Sequence, residues 1–502
     1  MSTTTKPYRS TSFLCGNQRQ LELVDHATLG LGDHTKEFLS HLIWSILWRI
    51  GETRIADSRW VSQDGVPCIP ISSSFIREHS RGARWETLEE RGVVEVTEHD
   101  RHRGLSREFS LSAEWLTRYL QAGPAAEELR APHRLRIPSG RPCRNRVRSR
   151  LSPRAGSSLA KQAGHSIERS FFNPAAIEAH LDELWSAVEA TTTHRERRSA
   201  RQRWFTDRVC YNSILGQSAA PARYWEVNSD SEIWAYAPAY QQQRFGRISE
   251  RGGGLQSCSR RMKAAARQGI MDCRNYDLKD SQARLLVVLM KDAGLDPGWL
   301  RDYLSHPKGK AHFAARAGLS VGAWKRALYS VLMGSRVPTP GQLPYSDGSL
   351  VAILREDVGE DALAEAHKRF YDITSPLRAQ LSPWHTYLVD VWAVENGHYM
   401  EPQRKTYVQN AAGVKRALEH LAPSMKRHAL KTMLASFLLQ GLEASVVHRL
   451  ALFSAEYGYV TLSHEHDGLV TLGEIPEQAV TRAAVESGIP TNAIVLVEKP
   501  FV

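Results

Sequence analysis

The sequence predicts an α+β fold, and three observations carry that prediction. A β-type run passes into a helical pattern at Asn275 to Leu286 (NYDLKDSQARLL). Two further β-type runs flank an Asp-Gly turn within Glu456 to Leu472 (EYGYVTLSHEHDGLVTL), and a helical pattern bearing a lysine lies between these stretches. In the first stretch Tyr276, Asp277 and Leu278 stand at the strand–helix junction, and Leu285, Leu286, Val288 and Leu289 form the helix's buried face. The junction leaves Asp277 exposed at the strand's end. In the second, Tyr459 to Leu462 lead into the turn and Leu469 to Leu472 carry the chain back, a hairpin with Asp467 at its tip. The intervening segment, Val321 to Ser335 (VGAWKRALYSVLMGS), spaces Lys325, Tyr329 and Met333 four apart, on one helical face.

Two carboxylates on separate strands can hold a pair of divalent ions roughly 3.5 to 4 Å apart, one activating an attacking oxygen and the other steadying a leaving pyrophosphate. Magnesium suits such a pair because it prefers oxygen ligands and retains waters, with manganese as the alternative. Asp277 and Asp467 are therefore the candidate metal ligands. Taken singly, each aspartate has an ordinary reading: Asp-Gly is the commonest short hairpin turn, and an aspartate after a strand is often a helix N-cap. Their order along the chain, with Lys325 placed to reach a triphosphate and Tyr329 and Met333 to pack on a base, favours the metal reading. A competing reading takes Ala314 to Leu328 (AARAGLSVGAWKRAL) as a helix-turn-helix, with Gly318 at the turn and Lys325 and Arg326 facing a phosphate backbone.

These segments resemble the family A DNA polymerases and their relatives, the phage-type single-subunit RNA polymerases. In that family the first palm motif contains a metal-binding aspartate, matched by Asp277, and the last contains a His-Asp pair, matched by His466 and Asp467. The fingers helix of the family carries a lysine, an aromatic four residues on and a Tyr-Gly after another four. Lys325, Tyr329 and the Met333-Gly334 pair fall at that spacing. Phe245 to Gln256 (FGRISERGGGLQ) is similar to the family's Gly-Arg segment, making Arg247 the equivalent of an arginine at the primer terminus. FLLQGLEASVVHRLAL, from Phe437, is similar to the Gln-Gly helix, with Gln440 in the glutamine's place. The resemblance covers about 255 residues in consistent order.

The resemblance implies a right-hand polymerase of palm, fingers and thumb-like helices, with catalytic roles for Asp277, Asp467, Lys325 and His466. It implies nucleotide contacts from Tyr329, Gln282, Arg326, Met333 and Gly334, and contacts to the polynucleotide from Arg247 and Gln440. The chain departs from the family in four places. Val321 stands where a triphosphate-binding arginine is usual, which brings Arg316, Lys325 and Arg326 into consideration. Gln282 replaces a glutamate that crowds a ribose 2′-hydroxyl, Met333 replaces a tyrosine, and Gly468 replaces the glutamate after the His-Asp pair.

Composition agrees with a polyanionic partner. The chain has 502 residues, 42% of them hydrophobic, and a formal charge of +11, enough for two or three domains with a basic surface. Six cysteines (15, 68, 143, 210, 258 and 273) show no paired ligand spacing and read as reduced thiols of a cytoplasmic protein, with no zinc implied. No apolar run is read as long enough to span a membrane, and MSTTTKPYRSTS has no signal-peptide core.

The domain reading follows from these signals. Residues 1–35 form a tail. Residues 36–121 read as a winged-helix-like DNA-binding unit: an apolar helix (Phe38, Leu42, Ile43, Ile46, Leu47), a helix from Ser72 to Arg91 and a strand pair. Its second helix offers Ser73, Ser74, Arg77, Arg81 and Arg84 to a major groove, and the hairpin puts Arg101, His102 and Arg103 at a wing tip. Residues 122–165 are an Arg/Pro/Ser-rich linker with too few large apolar residues to order itself. Residues 166–245 are a helical, thumb-like region, and residues 246–502 the palm and fingers, with the fingers from 301 to about 420. No acidic cluster marks a proofreading exonuclease.

Three function classes follow. The first is a template-directed DNA polymerase of a mobile element, phage or plasmid, with DNA template, primer, nucleoside triphosphates and replication accessory proteins as partners. The second is an RNA polymerase or primase of the same fold, reading a promoter or origin duplex. The third is a non-enzymatic DNA-binding initiator or regulator.

Overall fold

A computed structural model describes residues 15–16, 18–52, 61–62, 64–71, 82–97, 107–123, 133–134, 158–217, 220–222, 232–250, 253–345, 348–421 and 427–501. The N-terminal unit contains α1 (Gln18–Ala27), α2 (Asp33–Glu52), β1 (Ile69–Ile71), α3 (Trp85–Glu90), β2 (Val94–Thr97), β3 (Arg107–Leu111) and α4 (Ala113–Gln121). Its sheet is antiparallel, in the order β1-β3-β2. The helix expected from Ser72 to Arg91 begins, among the described residues, only at Trp85. Gly82 has φ +94°, outside the helical region, so Arg84 sits ahead of α3 and its N–H donates to Thr35 Oγ1 at 3.0 Å. Ser73, Ser74, Arg77, Arg81, Arg101, His102 and Arg103 lie outside the described residues.

The expected linker ends earlier than residue 165. α5 (Leu159–Ser166) packs on the long C-terminal helix and buries Ala160 and Ala163. The thumb-like region is also not wholly helical. After β4 (Ser170–Phe172), α6 (Pro174–Ala190) and α7 (His194–Leu215) pack side by side, and β5 (Ala220–Pro221) and β6 (Trp234–Tyr236) close a sheet in the order β4-β6-β5. α7 starts at an N-cap: Thr193 Oγ1 accepts from the Glu196 N–H at 3.3 Å and donates to its carboxylate. Trp204 and Phe205 of α7 share one apolar core with Phe38, Leu42, Phe109 and Leu116, so the expected 36–121 unit and the expected 166–245 region pack on a common core.

β7 (Tyr240–Gln242) and β8 (Ile248–Glu250) form a hairpin, and α8 (Arg260–Arg267) leads into the central sheet. That sheet comprises β9 (Cys273–Leu278), β13 (Val460–Glu465), β14 (Gly468–Leu472) and β15 (Leu496–Lys499), all antiparallel in the order β13-β14-β9-β15. Around it stand α9 (Ser281–Asp292), α15 (Arg427–Phe453) and α16 (Glu477–Glu486). The segment expected to form fingers contains α10 (Gly298–Ser305), α11 (Gly309–Ala317), α12 (Val321–Leu332), α13 (Ser349–Ile373) and α14 (Ser375–Tyr387). It also has a small sheet of β10 (His398–Met400), β11 (Lys405–Gln409) and β12 (Lys415–Ala417).

One core runs from β9 and α9 through Trp324 of α12 to Phe437 of α15. Contrary to the sequence expectation, α15 is by length and composition apolar enough to cross a membrane. Of its most apolar stretch, 72% is buried in the protein, as expected of a core helix that is apolar on all sides.

Candidate active site

Asp277 is the penultimate residue of β9, facing Gly468 of β14 on one side and Val497 of β15 on the other. His466 and Asp467 form the turn between β13 and β14, one residue earlier than the expected Asp467-Gly468 turn, because Gly468 already pairs with Glu465 and Asp277 as the first residue of β14. The tip is fastened to β9: the Leu278 N–H donates to the Asp467 carbonyl at 2.8 Å. A Cβ on Gly468 would lie 1.8 Å from the Tyr276 carbonyl oxygen, so the backbone approach that sets Asp467 beside Asp277 leaves no room for a side chain there. This explains why glycine follows the His-Asp pair.

The carboxyl groups of Asp277 and Asp467 approach to hydrogen-bonding range. Burial and then the Asp467 charge hold Asp277 above the ordinary carboxylate pKa, against the lowering effect of Lys499. Lys499, at the end of β15, bonds Asp277 Oδ2. Two carboxylates pressed together with one lysine to offset them form a donor set suited to a divalent cation. Among the described residues no group of three or more His, Cys, Asp or Glu side chains gathers as a metal site. An ion here would take its other ligands from backbone, water and substrate, as magnesium commonly does.

α12 faces this sheet end. Its N-cap is Ser320, whose Oγ accepts from the Ala323 N–H at 3.1 Å, and buried Trp324, Ala327 and Leu328 anchor it. Lys325 is exposed, with Nζ 5.7 Å from the centre of the Tyr329 ring. Burial, and after it Asp280, pushes the Tyr329 hydroxyl upward. Tyr303, Glu443 and Asp467 add to the effect, so Tyr329 lies within electrostatic reach of Asp467. Met333 caps the helix and Gly334 turns away from it with φ +90°, so the expected face of Lys325, Tyr329 and Met333 ends at the cap. Arg326, one residue round from Lys325, pairs with Glu356 at 2.9 Å on an exposed surface. α11 and α12 are two helices joined by a short turn at the left-handed Gly318.

Arg247 immediately precedes β8, and its guanidinium pairs with Glu443, a buried carboxylate of α15. Glu443 also accepts from Ser281 Oγ and, at 3.4 Å, from Gln282 Nε2. Gln282, the second residue of α9, is buried, whereas Gln440 is half-buried one turn before Glu443. His466 is exposed at the turn. The sequence reading missed Glu443, Lys499 and Asp280. Asp280 has a left-handed backbone (φ 51°) and pairs with Lys310 of α11 at 2.9 Å, tying the end of the central sheet to the helices expected to form fingers.

No protein-family model matches the chain, and no curated protein matches it. Among solved structures, the chain is similar to the POL domain of Pol1 from M. smegmatis, in a complex with DNA primer-template and dNTP. The likeness has 14% identity and a TM-score of 0.43, and covers 68% of this chain and 68% of that one.

Proposed function

We propose that the chain is a template-directed nucleotidyltransferase, a DNA polymerase of the family A type, serving replication of a mobile element, phage or plasmid. The observation that carries this reading is the meeting of the Asp277 and Asp467 carboxyls at one end of an antiparallel sheet, opposite a helix bearing Lys325 and Tyr329. Asp277 and Asp467 would hold two magnesium ions, which when bound assist attack of a 3′-hydroxyl on the α-phosphate and offset charge on the pyrophosphate. Lys325 neutralises the triphosphate and can give a proton to the leaving group. Tyr329 packs on the incoming base, with Met333 and Gly334 closing its helix. Arg247, Gln440 and His466 orient the primer end. The N-terminal winged-helix-like unit delivers the enzyme to its DNA.

A second reading, an RNA polymerase or primase of the same architecture, is favoured by Gln282. It places a neutral amide, bonded to Glu443, where the resemblance expects a carboxylate. The test supplies the purified chain with magnesium and a labelled template, with and without primer, offering dNTPs or NTPs. Primer extension with dNTPs supports the first reading and unprimed products from NTPs the second. No product under any condition, with DNA binding retained, would refute both.

A further inference from the structure

Glu443 sits in the middle of α15 with 1% of its side chain exposed, and two segments of the candidate site converge on it through three side chains. Arg247 binds Oε2, Ser281 Oγ donates to Oε1, and Gln282 Nε2 donates to Oε2. Ser281 and Gln282 open α9, a few residues after Asp277, while Arg247 lies within electrostatic reach of Asp467. One buried carboxylate thus ties together the strand end that carries Asp277 and the arginine beside Asp467.

The backbone around Arg247 has other anchors. His448 Nε2 donates to the Gly246 carbonyl at 2.8 Å, and Asn410 Nδ2 donates to the Phe245 carbonyl at 2.9 Å and to the Phe437 carbonyl at 3.0 Å. These bonds fix the main chain independently of Glu443. The Arg247 side chain is 23% exposed, and a long side chain at such a boundary keeps several rotamers unless a partner selects one. A buried carboxyl group needs hydrogen-bond partners for its oxygens, and Arg247, Ser281 and Gln282 supply them.

We propose that Glu443 is a positioning residue for the polynucleotide's 3′ end. It fixes the Arg247 guanidinium, so that this side chain presents one orientation within reach of Asp467. This inference rests on the nucleotidyl-transfer reading. It commits Glu443 to acting through Arg247.

The test is a double-mutant cycle on the full chain with Arg247→Gln, Glu443→Gln and the double variant. Each is measured for single-nucleotide kcat and KM, and for primer-template affinity by fluorescence anisotropy. Glu443→Gln is expected to lower kcat on the order of 10- to 100-fold, the scale of a misplaced orienting group, with little change in DNA affinity. The double variant is expected to match Arg247→Gln alone. A fold-maintaining role would instead lower melting temperature and make the two losses multiply. Multiplying losses, or wild-type kcat in Glu443→Gln, would overturn the inference.

If Glu443→Gln does not fold, the double variant, which removes both buried charges, decides. A kcat equal to that of Arg247→Gln supports the inference, and a further loss overturns it. If the wild type incorporates no nucleotide, the nucleotidyl-transfer reading fails by itself, and the positioning role of Glu443, which rests on it, is overturned with it.

Discussion

Replacing Glu250 with glutamine should remove a pH-dependent weakness next to the candidate site. Glu250 is 1% exposed at the end of β8. Its N–H donates to Gln256 Oε1 at 2.7 Å, its Oε2 accepts from the Gln256 N–H at 3.3 Å, and Gln256 Nε2 donates to the His464 carbonyl at 2.6 Å. The pair therefore braces the hairpin that carries Asp467. Burial raises the Glu250 pKa from 4.5 to about 7, against the lowering effect of bonds from Tyr236 and Gln256. Below pH 4.5 the carboxyl is protonated whether folded or unfolded. As pH rises towards 7 the unfolded chain releases its proton while the folded chain keeps it, so stability falls, and above 7 the full penalty is in place.

At 1.36 kcal/mol per unit the penalty is about 3.4 kcal/mol, of which about 2.5 develops between pH 5 and 8. Hydrogen–deuterium exchange of peptides spanning 240–262 in wild type and Glu250→Gln measures this directly, because intrinsic exchange rates cancel at each pH. The wild-type opening equilibrium should rise relative to the variant by roughly 70-fold from pH 5 to pH 8. A ratio that does not change with pH would refute the assignment of a protonated buried Glu250.

Other consequences are equally direct. Lys499→Met should tighten Mn2+ binding, since Lys499 is the cation now on Asp277, and titration by electron paramagnetic resonance would reveal unchanged affinity if the lysine does not compete. Gly468→Ala should destabilise the central sheet by about 3 kcal/mol or more, because its Cβ would overlap the Tyr276 carbonyl; an unaltered thermal melt would contradict that packing. Gln282→Glu should fail to behave as a conservative change. It sets a second carboxylate against Glu443, so its melting temperature should fall more at pH 8 than at pH 5, and a pH-independent effect would argue against the contact.

What the sequence made legible was local. The strand–helix junction at Asp277 and the hairpin at Asp467 were readable because apolar periodicity and an Asp-Gly turn are encoded within a few residues. The helix of Lys325 and Tyr329 was readable for the same reason, although its end at Met333 was set by the positive φ of Gly334. Glu443 was not readable. In FLLQGLEASVV it is a lone acidic residue on an apolar helix, and its meaning comes from Arg247 and Ser281, 196 and 162 residues away. The interruption before Trp85 turned on a single glycine conformation, and the core shared by α7 and the N-terminal unit depends on long-range packing of Trp204 and Phe205 that no local pattern encodes.

The proposed function requires Asp277 and Asp467 together to hold the ions that support nucleotidyl transfer. Mn2+ ions bound to wild type, Asp277→Asn and Asp467→Asn can be counted in the presence of primer-template and a non-hydrolysable nucleotide, alongside single-nucleotide incorporation. Two ions and incorporation are expected in the wild type, with fewer ions, no turnover and nearly intact DNA binding in each variant. Two ions and sustained incorporation in both variants would contradict that requirement.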